Sequence, residues 1–259
     1  STQGVSSAAS DVYKRQLYIS SAHACPYLED RCATNLLVDP DFDVTPALYD
    51  QLILQGFRRN GTLYYRPHCP GCQACRSVRI AVNQFSQTRS QRRTANRNKD
   101  VTLTLQAADY CDEHFALYRR YQSARHRGDS MDDPDPEKYR QFLTRSDVDT
   151  FIIEIRAGRR LIAASVTDHI ANGLSAVYTF FEPNEVRRAL GTYAILKQVD
   201  LARRIDYEWL YLGYWIDTCD KMSYKSRFQP LEAFDNDSGH WPSIGTHDLA
   251  LSDVCNPSY

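Results

Sequence analysis

From residue 101 onward the chain carries secondary-structure signals in an order that few folds accept. Val101 to Leu105 alternates as a strand, Asp109 can cap a helix running through Tyr121, and a loop rich in Asp and Pro over 128–136 leads to a second helix at Glu137 to Leu143. A meander follows. Phe151 to Ile155 and Leu161 to His169 flank Ala157-Gly158, and Asn172-Gly173 turns the chain into Ser175 to Phe181. Val186 to Arg204 then places Leu190, Ala194, Ile195, Val199 and Ala202 on one helical stripe, and Trp209 to Trp215 is an apolar, aromatic strand. Strand, helix, helix, three antiparallel strands, helix, strand predicts an α+β fold of the GCN5-related N-acetyltransferase type.

A smaller α+β module precedes it. Thr45-Pro46 is an N-cap followed by proline at the first helical position; Leu48, Tyr49, Leu52 and Ile53 give helical spacing, and Gly56 supplies the stop. Asn60-Gly61 signals a hairpin, and Val78 to Val82 a strand. Ser86 to Asn98 lacks Pro and Gly and predicts a helix. The expected division is a disordered or artefactual tail over 1–16, a cysteine-containing module with a basic helix over 17–100, the acyltransferase domain over 101–234, and an irregular tail over 235–259.

The chain has 259 residues, ample for a sizeable core. No apolar run reaches the roughly 18 residues of a membrane span, and no export signal opens the sequence, so the expected compartment is the cytoplasm, with no membrane partner. There the eight cysteines read as thiols or metal ligands rather than as a disulfide framework. The formal net charge of −1 hides separated patches: Gln87 to Lys99 holds five cations and no acid, and Asp129 to Glu137 five acids and no base.

Three stretches can carry chemistry. Cys69-x2-Cys72-x2-Cys75 lets three thiolates face one zinc ion or one corner of an iron–sulfur cluster, with Cys25 as the expected fourth ligand and Cys32 the weaker choice; the plainer reading is small core thiols. Arg89, Gln91, Arg92, Arg93 and Arg97 suit phosphate contacts, the alternative being a solubilising helix face. Tyr214, Lys221, Tyr224, Lys225 and Arg227 cluster at and just beyond the last strand, where a buried element hands over to polar groups. A fourth stretch is informative by what it lacks. Enzymes of this fold that use acetyl-CoA hold its pyrophosphate in a Gly-rich turn, whereas EVRRALGTY has only Gly191, so a donor without CoA is expected.

The residues CPYLEDR (25–31), NLLVDP (35–40), QGFRR (55–59), YRPHCPGCQACRSVRI (65–80), RSQRR (89–93), AVYTFFEP (176–183), LGTYAIL (190–196) and YLGYWIDTCDKMSYKSRFQPLE (211–232) resemble the arginyl-tRNA–protein transferase family, and most of all its bacterial leucyltransferase branch. The resemblance covers roughly residues 20–233. It implies transfer of leucine from leucyl-tRNA to proteins beginning with Asp or Glu, marking them for N-degron proteolysis. Family relatives that transfer arginine hold a metal or cluster through a Cys-x-x-Cys pair; here the second position is Leu28. The transfer itself needs no cofactor, because an aminoacyl ester is already activated and an α-amine with pKa near ~8 is partly neutral at pH 7. Positioning, oxyanion stabilisation and proton delivery to the ribose remain. Tyr178 and Tyr214, expected on neighbouring strands, are the hydroxyl candidates and Asp217 a proton acceptor; Lys221, Tyr224, Lys225 and Arg227 are the candidates for reading an acceptor carboxylate. Arginyl transfer, a CoA-dependent acetyltransferase and a non-enzymatic metal-stabilised RNA-binding module are the competing readings.

Overall fold

A computed structural model describes residues 17–125 and 133–245. The expectations for 1–16, for most of the 128–136 loop and for 246–259 fall outside the described residues. The N-terminal part contains β1 (Leu17–Ile19), β2 (His23–Ala24), β3 (Cys32–Ala33), β4 (Asn35–Val38), α1 (Pro46–Leu54), β5 (Arg58–Asn60), β6 (Leu63–Pro67), β7 (Arg76–Ala81) and α2 (Arg89–Arg97). Thr45 caps α1 by accepting from the Leu48 amide, and Gly56 ends it at φ +79°, where a side chain would strike the Phe234 ring. The Asn60-Gly61 hairpin joins β5 to β6.

The rest follows the predicted order: β8 (Val101–Ala107), α3 (Asp112–Arg125), α4 (Pro136–Tyr139) running into a π-turn at Arg140–Thr144, β9 (Thr150–Ala157), β10 (Arg160–Ile170), β11 (Gly173–Phe181), α5 (Leu190–Arg204), β12 (Trp209–Trp215), α6 (Asp220–Ser223), a 3-10 turn at Tyr224–Arg227, β13 (Leu231–Ala233) and β14 (Ser243–Ile244). The helix expected over 186–204 is divided: Val186–Arg188 is a 3-10 turn and Ala189, at φ +49°, breaks it from α5. Among the described residues β8 to β11 form an antiparallel run, β12 pairs parallel to β11, and β7 lies between β12 and β13 in the same eight-stranded sheet. A strand drawn from residues 76–81 thus sits inside the sheet built from 101–244. The mixed α+β character expected from sequence is what the structure has.

Alternation along the strands dresses both faces of this sheet. Ile152, Leu161, Ala164, Val166 and Phe180 pack under Leu117, Tyr118 and Tyr121 of α3, while Ile153, Leu174, Leu210 and Leu212 pack with Ile195, Leu196 and Val199 of α5. A smaller sheet, ordered β1-β4-β6-β5, closes against the large one through Tyr49, Ile53, Phe57, Tyr64, Ile170 and Tyr211.

The joint between the sheets is polar at its centre. Arg59 of β5 donates from Nε to Asp168 Oδ2 of β10 at 2.8 Å and from Nη2 to Oδ1, with both side chains fully buried. Tyr49 and Thr150 hydroxyls donate to the same carboxylate at 3.0 and 2.8 Å. Burial alone would lower the Arg59 pKa; the hydrogen bond and charge of Asp168 outweigh it and hold the guanidinium protonated. Removing one partner strands a buried charge, a loss of about 3–5 kcal/mol. Arg59→Met is expected to lower the urea midpoint accordingly, and the double change Arg59→Met with Asp168→Leu to recover most of it; equal midpoints for wild type and single variant would refute this account.

Candidate active site

β11 and β12 are paired only at Gly173 with Trp209, Leu174 with Leu210 and Ser175 with Tyr211. Beyond that level β11 stays on β10 as far as Phe181 and β12 stays on β7 as far as Trp215, so the sheet opens into a wedge. A bulge on each side marks the parting: one at Val166/Thr167 opposite Tyr178 and Ala176, the other between Tyr211 and Gly213, with Gly213 at φ +78°. Bulges add local twist, and two at one level turn adjacent strands apart.

Two cations meet at the narrow end. Arg58 of β5 donates from Nη2 to the Ala176 carbonyl at 2.6 Å, and its guanidinium covers Gly213, where a Cβ would lie 3.6 Å from Nε. Its Nη1 is buried without a hydrogen-bond partner. Lys225 Nζ donates to the Tyr214 carbonyl. Arg58 is 5% and Lys225 8% exposed, and no carboxylate among the described residues forms an ion pair with either. Burial first, and the Arg58 charge second, push the Lys225 ammonium down to about 7.

Aromatic residues form the outer wall. Tyr178 packs on Phe142, Tyr118 and Tyr121, and its hydroxyl accepts from Gln122 Nε2 at 3.4 Å. Burial raises the Tyr178 pKa far above the usual phenol, keeping it a proton donor. Tyr224 is pushed up to about 12 by burial and by neighbouring Tyr121, which links the 3-10 turn to this wall. Tyr214 is elsewhere: its hydroxyl donates to the Gly56 and Tyr65 carbonyls at 3.1 and 2.9 Å and fastens β12 to the smaller sheet. The parallel strands that were to set Tyr178 and Tyr214 side by side have parted before reaching them, and the two hydroxyls serve different partners. Asp217 lines a separate cavity with Ala74, Arg76 and Ile244. Lys221 and Arg227 are exposed.

Gln91 is buried and its amide is turned to protein partners rather than outward. Its Oε1 accepts from the Thr88 amide at 2.8 Å, completing a capping box, and its Nε2 donates to the Arg227 carbonyl at 3.0 Å. The contact staples α2 to the turn that carries Lys225. Arg89, Arg92, Arg93 and Arg97 stay on the exposed side of α2, with Arg187 added where Arg97 donates to its carbonyl at 2.7 Å.

Cys25, Cys69, Cys72 and Cys75 are neighbours. Burial, then the other three thiols and Cys219, push the Cys75 thiol up to about 12, and Cys69 donates to the Thr34 carbonyl at 3.6 Å. Soft thiolates are the right donor chemistry for zinc or an iron–sulfur group. As they stand, no group of three or more His, Cys, Asp or Glu among the described residues is arranged to hold a metal ion.

Residues 23–93 match the family model for the N terminus of arginine-tRNA-protein transferase, and residues 113–235 the model for its C terminus. The chain belongs to this family. Proteins named aspartate/glutamate leucyltransferase are similar to it along nearly their whole length: that of Hahella chejuensis is 49% identical, covering 88% of this chain and 96% of the relative, and that of Chromohalobacter salexigens is 46% identical, covering 87% and 92%. Among solved structures, FemX aligns with a TM-score of 0.41 at 10% identity over 80% of this chain and 82% of its own. L-PGS from Bacillus licheniformis aligns with a TM-score of 0.40 at 13% identity over 66% and 49%.

Within the family sequence, Arg58 is the site residue that sequence reasoning passed over. Its signal is the pair Arg58-Arg59 on one strand: neighbours on a strand face opposite ways, so the two guanidiniums need two different anionic partners, and the fold supplies one.

The wedge leaves a trace in stability. A folded-state pKa of about 7, below the ordinary 10.5, means that between these values the folded chain has shed a proton that the unfolded chain keeps, so stability rises with pH across that window. Lys225→Met removes the burden of a buried charge, which is heaviest below the folded pKa. Its Tm should exceed that of wild type by more near about pH 6 than near about pH 9.5, by roughly 2–4 °C for each kcal/mol relieved. A pH-independent difference in calorimetry would contradict it.

Proposed function

We propose that this chain transfers leucine from leucyl-tRNA to the α-amine of proteins whose first residue is Asp or Glu, marking them for N-degron proteolysis in the cytoplasm, where charged tRNA is found. Leucyltransferase relatives matched over 92–96% of their length support the activity. The observation that carries it onto this structure is the wedge between β11 and β12, which holds two buried cations that no acid among the described residues pairs with. In the described residues no helix is long and apolar enough to cross a membrane.

The reaction is ester aminolysis. The acceptor nitrogen bonds to the leucyl carbonyl carbon, the bond between that carbon and the ribose oxygen breaks, and the amine proton ends on the ribose oxygen. We assign Tyr178 as a donor to the oxygen that gains charge, supported by its buried, protonated hydroxyl with a single neutral partner. Tyr214 is assigned as a positioning residue, since its hydroxyl anchors β12; Asp217, lining another cavity, is the weaker choice for proton acceptor. Lys225, with Tyr224 beside it, Arg227 exposed on the same turn and Lys221 exposed on α6 just before it, reads the acceptor carboxylate. The apolar and aromatic side chains packed around Tyr178 suit a leucyl group, whereas a guanidinium calls for a buried carboxylate to pair with.

The donor tRNA is assigned to α2 through Arg89, Arg92, Arg93 and Arg97, because the Gln91 staple sets that basic face beside the wedge. The division into a 17–100 tRNA-facing module and a 101–234 acyltransferase domain of the GCN5-related type is proposed on the antiparallel run, crossover helix and parallel strand, with β7 shared between them. A structural zinc or iron–sulfur group on Cys25, Cys69, Cys72 and Cys75 rests on thiol proximity alone. Stoichiometric zinc or iron in anaerobically purified protein would support it, and neither metal would remove it.

Purified chain offered leucyl-tRNA, arginyl-tRNA or acetyl-CoA, with peptides beginning Asp, Glu or Ala, is expected to transfer leucine to the Asp and Glu peptides only. Arginine or acetyl transfer would overturn the reading. The double change of Arg92 and Arg93 to Ala should weaken leucyl-tRNA binding and flatten log K against log salt by about 0.7–0.9 for each phosphate that is no longer neutralised. Unchanged affinity and slope would reduce α2 to a solvated face.

A further inference from the structure

Arg58 and Arg59 are adjacent on β5 and both are 5% exposed, yet they have opposite electrostatic fates. Arg59 is matched by Asp168. Arg58 has one carbonyl, that of Ala176, and a buried Nη1 with nothing to donate to. Around it are the phenols of Tyr49, Tyr65, Tyr211 and Tyr214 and the ammonium of Lys225. Two cations buried side by side repel each other, and a buried guanidinium N–H without a partner is a standing penalty. A site with both needs an anion that arrives from outside.

The place in the fold narrows the class of anion. Arg58 sits where β11 and β12 first part, held to the backbone of Ala176 and over Gly213. Tyr178 is two residues further along β11, about 7 Å at the usual strand rise. One methylene in Asp, or two in Glu, separates the side-chain carboxylate from Cα and its amine. A carboxylate seated on Arg58 therefore keeps the amine close to the two cations, and the same two positive charges favour its neutral, nucleophilic form. The planar fork of a guanidinium suits a carboxylate bidentately; the amide of Asn or Gln would turn an NH2 toward a donor that needs an acceptor.

We propose that Arg58 and Lys225 together receive the side-chain carboxylate of the acceptor's first residue, and that Arg58, through its unpaired Nη1, makes the site choose an acid over its amide. The identity of the ligand rests on the leucyl-transfer reading above. The turn bearing Lys225 brings one cation, the smaller N-terminal sheet brings the other, and the acceptor carboxylate closes the set.

The test is direct peptide binding to the full chain without tRNA, using fluorescent peptides that differ only in a first residue of Glu or Gln. Wild type should prefer Glu. Arg58→Gln should lose roughly 30-fold or more in Glu-peptide affinity, leave the Gln peptide within about threefold, and so abolish the preference, while leucyl-tRNA affinity stays within about threefold. Arg58→Lys keeps the charge and loses the fork, so its preference should fall between the two; it carries the test if the Gln variant does not fold. A wild-type preference retained in whichever variant folds would overturn the proposal, as would a wild type that does not distinguish Glu from Gln. Loss of leucyl-tRNA affinity with peptide preference intact would overturn it too, by showing that the wedge anion is a donor phosphate. A wild type that prefers the Glu peptide yet transfers nothing from leucyl-tRNA would refute the leucyl-transfer reading and leave the carboxylate receptor standing.

Discussion

The Arg59–Asp168 pair is the fastening on which the site depends. It joins β5 to β10 at the centre of the contact between the two sheets, with Tyr49 and Thr150 filling the remaining lone pairs of the carboxylate. Complete satisfaction is what makes such a buried pair tolerable, since either charge alone would be strongly destabilising there. Once Arg59 is fixed, the geometry of one strand fixes Arg58: it must emerge on the other side of β5, into the gap where β12 leaves β11.

That gap is made by backbone irregularity. Two bulges at one level, and a left-handed Gly213, part a sheet that is otherwise continuous. The carbonyls of Ala176 and Tyr214 become acceptors for side chains, and the two chosen are both cationic. Burial, and after it the charge of Arg58, bring Lys225 close to the point of losing its proton. The result is a pair of buried cations at the parting of two strands, donors preformed without a carboxylate partner among the described residues.

A second connection brings the basic helix into the same neighbourhood. Gln91 closes the capping box of α2 and also holds the carbonyl of Arg227, so the surface carrying Arg89, Arg92, Arg93 and Arg97 is tied to the turn that carries Lys225. One side chain read from sequence as a phosphate contact thus acts as the link between the basic helix and the turn that carries Lys225.

Much of the architecture is a local matter and was legible in the chain. The Thr45-Pro46 cap, the Asn60-Gly61 hairpin, the meander over 151–181, the helix ending at Arg204 and the strand Trp209–Trp215 follow from capping, turn chemistry and periodicity, which neighbouring residues decide. The family was legible too, through motifs spread over most of the chain. Sequence could not place β7 between β12 and β13, part β11 from β12 before Tyr178 and Tyr214, or turn the Tyr214 hydroxyl to Gly56 and Tyr65, because those depend on bulges and on pairings between residues more than a hundred positions apart. Nor could it tell Arg58 from Arg59. Their side chains are chemically identical, and what separates them is that a carboxylate from residue 168 reaches one and not the other. Partnering of a buried charge is a property of three-dimensional neighbours, so the tertiary structure alone decided which arginine is matched by a carboxylate and which is buried without one.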